Sequence, residues 1–252
     1  LNYSYHFEAG DKDYEHHGFG GIWGGSHTTA HHNLFAHCVS RNPRFNGARL
    51  GASDDFVDFS NNLIYNWGNN NVYGGEGGIY NIVNNYYRPG PATSKSTRTR
   101  IVNPSKQEKP FIGYGKYYVN GNFVEDAPEV TANNKLGIHV GREATAEEKV
   151  NIEVDKPFSV VNINLQSAKD AYNAILNGAG ASYRRDTMDQ RIIKEVKDRT
   201  GVIIDVQGHF PHGTPYEQTI HAWPHLASLP APADADQDGM PDVWEKKNGL
   251  NP

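Results

Sequence analysis

Two arginines separated by two residues, in Arg41-Asn42-Pro43-Arg44, are the side chains in this chain best suited to anion chemistry. A guanidinium offers five donors in a fixed fork that matches a carboxylate, so two of them held on a rigid scaffold form an anion-binding site. Arg49 and Lys12 can join the same patch, and Arg88 opens a basic run (Arg88, Lys95, Arg98, Arg100, Lys106) without an acidic residue. On a chain of net charge −5, that local excess reads as a further anion contact. A second device lies near the C-terminus. Asp234, Asp236, Asp238, Met240 (through its carbonyl), Asp242 and Glu245, with Gly239 at the sixth position, follow the spacing of a calcium loop.

Other residues invite chemistry and read more simply. His16, His17, His27, His31, His32 and His37 fit no zinc spacing, and neighbours on a strand, such as His31 and His32, are expected to point to opposite faces. Asp54-Asp55 resembles the paired carboxylates of a glycoside hydrolase, but these acids can equally cap the turn they follow. The run Gly18 to Gly25 carries Trp23 where a dinucleotide fingerprint needs its third glycine, and reads as tight turns approaching a neighbouring segment.

The scaffold is legible in a repeat. Asn33-Leu34-Phe35, Asn62-Leu63-Ile64 and Asn85-Tyr86-Tyr87 recur after 29 and 23 residues, the period of one turn of a stacked solenoid. A short strand cannot bury its apolar face alone, so successive coils stack and pair in parallel, and the repeated Asn is expected to take a left-handed conformation and bond its stacked copy. Residues 18 to about 140 therefore read as parallel β-helix coils, with a β-sandwich as the alternative. Residues 88–106 read as a long loop, and further strands are expected at Phe111–Val119 and around Leu136–Val140 and Phe158–Leu165. Two helices follow: one capped by Ser167 and ended by Gly178, the other capped by Asp186 and stopped at Gly201. The division expected is 1–165 coils, 166–230 helical brace and linker, and 231–252 calcium loop.

Composition agrees. Mean hydropathy is −0.69 and no apolar run is long enough for a membrane span. The single cysteine, Cys38, sits among apolar residues as a small buried hydrophobe. Nothing points to nucleic acid, a monomer is expected, and the opening in mid-strand pattern reads as a piece lacking earlier coils.

The succession Gly18-Phe19-Gly20-Gly21-Ile22-Trp23, His31-His32-Asn33-Leu34-Phe35, Arg41-Asn42-Pro43-Arg44, Asn61-Asn62-Leu63-Ile64-Tyr65-Asn66-Trp67 and Asn84-Asn85-Tyr86-Tyr87-Arg88-Pro89-Gly90-Pro91 resembles the pectate lyases of polysaccharide lyase family 1. Its tail resembles that family's bacterial branch with a C-terminal Asp-rich loop. The resemblance implies an all-β, right-handed parallel β-helix with a short helical extension, secreted, periplasmic or on the cell surface, cleaving α-1,4-polygalacturonate (pectin) by calcium-assisted β-elimination. It implies that Arg41 abstracts the proton, with Arg44, Lys12, Arg49 and Arg88 as substrate contacts. Many members carry a second arginine five residues after the base, where this chain has Asn46, so Arg44 or Arg49 would have to substitute. The acids that hold the family's catalytic calcium would lie upstream of Leu1. A guanidinium is a poor base, with a reference pKa of about 12.5 or more, so an alkaline optimum is expected. A polygalacturonase-like hydrolase and a non-catalytic carbohydrate-binding solenoid are the alternatives.

Overall fold

A computed structural model of the chain describes residues 18–51, 54–161, 163–203, 210, 214–225 and 229–252. Its strands, in chain order, are β1 (Ile22–Trp23), β2 (Thr28–His31), β3 (Leu34–Ala36), β4 (Arg44–Phe45), β5 (Phe56–Ser60), β6 (Leu63–Tyr65), β7 (Val72–Gly74), β8 (Ile79–Val83), β9 (Tyr86–Arg88), β10 (Val102–Pro104), β11 (Gln107–Glu108), β12 (Phe111–Ile112), β13 (Lys116–Asn120) and β14 (Phe123–Val124). Three four-stranded sheets, all parallel, take them in rotation: β1-β4-β7-β10, β2-β5-β8-β13 and β3-β6-β9-β14. Each circuit of the chain thus adds one strand to each sheet, the stacking expected of a parallel β-helix. Strands of two to five residues are too short to stand alone and derive their stability from the circuits on either side.

The interior follows from the period-two alternation of these strands. Phe35, Ile64, Tyr87 and Val124 from the third sheet meet Val57, Phe59, Tyr80, Ile82 and Tyr117 from the second, with Phe45, Val72 and Val102 from the first. Phe45, Tyr80 and Tyr117 stack in a row, with centroids 4.5 and 4.9 Å apart.

At the corner between the second and third sheets, Asn33, Asn62, Asn85, Asn122 and Asn134 form a ladder. Each side-chain oxygen from Asn62 onward accepts from the backbone N–H and the side-chain amide of the rung before it, at 2.7–3.1 Å. Asn62, Asn85 and Asn122 are buried with their donors and acceptors matched. The left-handed conformation expected of these asparagines belongs instead to the preceding residues, His32, Asn61, Asn84 and Gly121, at φ of 55°, 53°, 53° and 70°. One residue turns the corner and its successor bonds along the stack.

Four elements depart from the sequence reading. Residues 88–106 are only partly loop, because Val102–Pro104 joins the first sheet beside β7. The segment Phe111–Val119 divides into β12, which pairs antiparallel with β11, and β13 in the second sheet. Around Leu136 the chain forms a 3-10 turn, Asn134–Gly137, with a single bridge from Ile138 to Val102. The described residues of the segment 158–165 form no strand. Phe158 and Gln166 bond the side chains of Asn81, Asn61 and Asn84, so that side-chain amides take the place of a ladder.

The helices are α1 (Pro128–Ala132), α2 (Ala146–Ile152), α3 (Ala168–Gly178), α4 (Thr187–Asp198), α5 (Tyr216–Thr219) and α6 (Asp242–Asn248). Ser167 and Asp186 cap α3 and α4 by accepting from Asp170 N and Asp189 N at 3.2 and 2.8 Å. Helix α4 ends earlier than Gly201 implies, at Arg199, whose φ is 55°. Ile175 and Leu176 of α3 and Ile193 and Val196 of α4 cover the outer face of the third sheet, against Leu63, Tyr65 and Tyr86. Both faces of that sheet are therefore buried, which explains its nearly continuous apolar sequence. Among the described residues no helix is long and apolar enough to cross a membrane.

Candidate active site

The first sheet turns Ile22, Arg44, Tyr73 and Asn103 outward in one register column, each at least partly exposed. The turn that leads into β4 carries Arg41. Its backbone is left-handed, at φ 60°, and its carbonyl accepts from Gly21 N at 2.8 Å. A Cβ at Gly20 would collide with that carbonyl, so the glycine run lets one circuit press on the next. On the other side Asn42 N donates to Asn71 O at 3.1 Å, and the Asn42 side chain donates to Cys38 O and Asn70 O. The Arg41 guanidinium carbon lies 4.3 Å from the centroid of the Phe19 ring, and Nε has no hydrogen-bond partner among the described residues. The backbone is thus fixed from both sides while part of the side chain's donor capacity is unused.

Arg44 takes a different course. It donates to Glu76 Oε1 at 2.6 Å, Glu76 Oε2 at 3.3 Å and Phe45 O at 2.6 Å, and its guanidinium carbon stands 5.4 Å from the Tyr73 ring centroid. Arg49 reaches Glu76 Oε2 more loosely, at 3.6 Å, and is held by Asn46 through its carbonyl and side-chain oxygens at 2.9 and 3.2 Å. Arg41 and Arg44 therefore have different partners: the guanidinium of Arg41 lies over Phe19 and that of Arg44 is bound by Glu76. Glu76, 3% exposed, is the residue the sequence reading missed. Its signal was present: it is the only charged residue in the run Gly74-Gly75-Glu76-Gly77-Gly78, one circuit after the arginines.

Arg88 sits elsewhere, under the helices. It pairs with Glu125 and donates to Val196 O at 2.9 Å and Lys197 O at 3.2 Å, so it ties β9 to the end of α4. Lys12, His16 and His17 lie outside the described residues. Asp55 is buried and accepts from Gly25 N, Gly47 N and the Tyr80 hydroxyl at 2.8, 2.9 and 2.5 Å, which is the work of a turn cap. Asp54 accepts from Ser26. His31 and His32 do not point apart: His32 leaves the strand at φ 55°, and the two Nδ1 atoms come within 2.8 Å. Cys38 is buried, and burial pushes its thiol up to about 12, leaving it inert at neutral pH.

In the C-terminal loop, one carboxylate oxygen from each of Asp234, Asp236 and Asp238 lies within 4.8 Å of the others. Asp234 accepts from Gln237 N and Gly239 N, Asp238 from Met240 N, and Asp242 from Ala235 N, while Gly239 turns at φ 93°. Glu245, 1% exposed, leaves Oε2 without a partner among the described residues. Burial first, and then the charges of Asp236, Asp238, Asp242 and Asp234, raise its pKa. An orphaned buried carboxylate beside clustered aspartates fits a divalent cation with oxygen ligands.

No family model matches the chain. It is similar to proteins named probable pectate lyase C: 30% identical to that of Aspergillus terreus over 94% of this chain and 51% of that protein. Identity is 27% to the one of Aspergillus flavus and 28% to that of Neosartorya fischeri, each over 87% of this chain and 46% of the relative. The chain spans about half the length of the curated relatives it matches.

Proposed function

We propose that this chain is the part of a pectate lyase that carries the proton-abstracting residue, acting on α-1,4-polygalacturonate outside the cytoplasm, on a right-handed parallel β-helix that works as a monomer. The observation that carries the reading is Arg41: its carbonyl is held by Gly21 N and the N–H of the next residue, Asn42, by Asn71 O, so the peptide that carries it is bonded to both neighbouring circuits, and its buried Nε is unpartnered among the described residues. The names of the relatives support the same chemistry. In such a reaction the C5 proton of a uronate leaves to a base, and the bond to the oxygen at C4 then breaks, giving an unsaturated end. Arg41, with its guanidine neutral, is the base, and its fixed backbone limits the angles from which it approaches C5.

Calcium enters this reading twice. Bound to a uronate carboxylate, it would stabilise the negative charge that develops at C5. Beside Arg41 no cluster of three ligating groups occurs among the described residues, so no step is assigned here to an ion held by this chain. Asp234, Asp236, Asp238, Asp242 and Glu245, with the Met240 carbonyl, would hold a structural calcium that fixes the loop onto α6. A hydrolase is disfavoured because the Asp55 carboxylate is already occupied by three donors.

The test uses the full-length natural protein with polygalacturonate, following the ultraviolet absorbance of unsaturated uronide. Arg41→Ala is expected to lower the rate about 10²–10⁴-fold while oligogalacturonate affinity stays within a few-fold. New reducing ends without unsaturated product would overturn the proposal in favour of hydrolysis.

A further inference from the structure

Resting on the lyase reading, we propose that Arg100 binds the carboxylate of a second ring of the polygalacturonate chain, two rings from the one that Arg41 deprotonates. Register places it there. Arg44, Tyr73 and Asn103 are partners across β4, β7 and β10, and three residues before each of them stand Arg41, Asn70 and Arg100. The residues that follow, Asn42, Asn71 and Ile101, are all fully buried, so the three turns keep the same order. The two arginines are therefore two circuits apart on one line, about 10 Å at the ordinary spacing of paired strands. A uronate chain lying along the stack brings one carboxylate with each ring, and in a twofold-extended chain alternate carboxylates face the same side.

The peptide of Arg100 is held as that of Arg41 is. Its carbonyl accepts from the Asn71 side chain at 2.5 Å, and the N–H of the next residue, Ile101, donates to Gly137 O at 2.8 Å. A neutral group aims the guanidinium: Nη1 donates to Asn70 Oδ1 at 2.9 Å, back toward the circuit of Arg41. The side chain is only partly exposed, and its buried Nε has no acceptor among the described residues. Burial lowers the pKa of Arg100 and no neighbouring acid offsets it. Its charge in turn, after burial, holds His139 below the ordinary histidine value. Arg44 and Arg88 differ in this respect, because each is bound by a glutamate. A half-buried cation without a counter-charge is costly, and a carboxylate brought by the substrate removes that cost.

The experiment measures kcat and KM on oligogalacturonates from trimer to hexamer for the full-length natural protein and for Arg100→Ala and Arg100→Lys. For the hexamer, Arg100→Ala is expected to raise KM about tenfold with kcat and thermal midpoint nearly unchanged, and Arg100→Lys to recover part of the loss. The trimer should be affected less, a dependence on chain length that a merely structural Arg100 would not produce. A readout independent of turnover follows the His139 ring by NMR in full-length Arg41→Ala. Saturating hexamer with calcium should raise the His139 pKa, because a carboxylate at Arg100 offsets the charge that depresses it, and the rise should vanish in Arg41→Ala/Arg100→Ala. An unchanged hexamer KM in folded Arg100→Ala, or a His139 pKa that hexamer does not move, overturns the proposal. Should Arg100→Ala not fold, the His139 titration in Arg41→Ala decides alone. If the unsubstituted protein forms no unsaturated product, the lyase reading itself has failed.

Discussion

Around Glu76, two guanidinium groups gather on one buried carboxylate, whereas between Asp234 and Glu245 five carboxylates gather in a segment that contains no Lys or Arg. The first cluster draws its counter-charge from the circuit above, thirty-two residues away from Arg44 in the chain. The second draws none from the described protein, and Glu245 is left with an unpartnered oxygen and a raised pKa. Like charges converge in both places, so convergence alone does not mark a ligand site. The distinction lies in whether the fold supplies the opposite charge, which the described residues do around Glu76 and do not in the C-terminal loop.

The sharpest break in this comparison is Arg44→Ala. Removing the strut leaves Glu76 buried with only the looser Arg49, and a loss of about 3 kcal/mol in urea unfolding is expected; a loss under about 1 kcal/mol would show that the cluster is not internally balanced. Next comes calcium. At a hundred times its dissociation constant, the ion should stabilise the loop by about 2.7 kcal/mol, read as protection of the loop's amides from hydrogen exchange, and Glu245→Gln should remove most of that gain.

The pH dependence sharpens the contrast. Glu245 has a folded pKa above its ordinary value of 4.5, so without calcium the folded loop favours the protonated acid. Loop stability in chelator should then fall as pH rises from the unfolded pKa through the folded one, and the benefit of added calcium should grow over the same interval. The opposite slope would remove the electrostatic account. The smallest effect is Arg88→Ala. It should loosen α4 from the third sheet by about 1–3 kcal/mol in local exchange while KM for polygalacturonate stays the same, since its donors go to Glu125 and to carbonyls of α4.

Much of the scaffold could be read along the chain because its signals are local. Asn33, Asn62 and Asn85 announced the stack, since a repeated amide before two apolar residues is the one pattern that lets a corner be bonded to its copy. Asn122 and Asn134 escaped notice because 37 and 12 residues, not 23 or 29, separate them from the preceding rung. Ser167 and Asp186 identified the starts of α3 and α4, because capping needs only a side chain and a backbone N–H three residues on. The extended run after Asp155 misled because apolar alternation there is satisfied by side-chain amides of the second sheet and not by strand pairing.

By itself, then, the sequence determined the repeating circuits, the asparagine corner, the two capped helices and the spacing of the acidic residues in the C-terminal loop, all of which follow from residue type and short-range periodicity. The tertiary structure alone decided which charges meet. Arg41, Arg44 and Arg49 are equivalent cations on paper, yet stacking one circuit on another brings Glu76 to Arg44, aims Arg49 through Asn46, and leaves Arg41 over the ring of Phe19. Such pairings depend on the register between distant segments, and each carboxylate neutralises only what lies within a few ångströms of it.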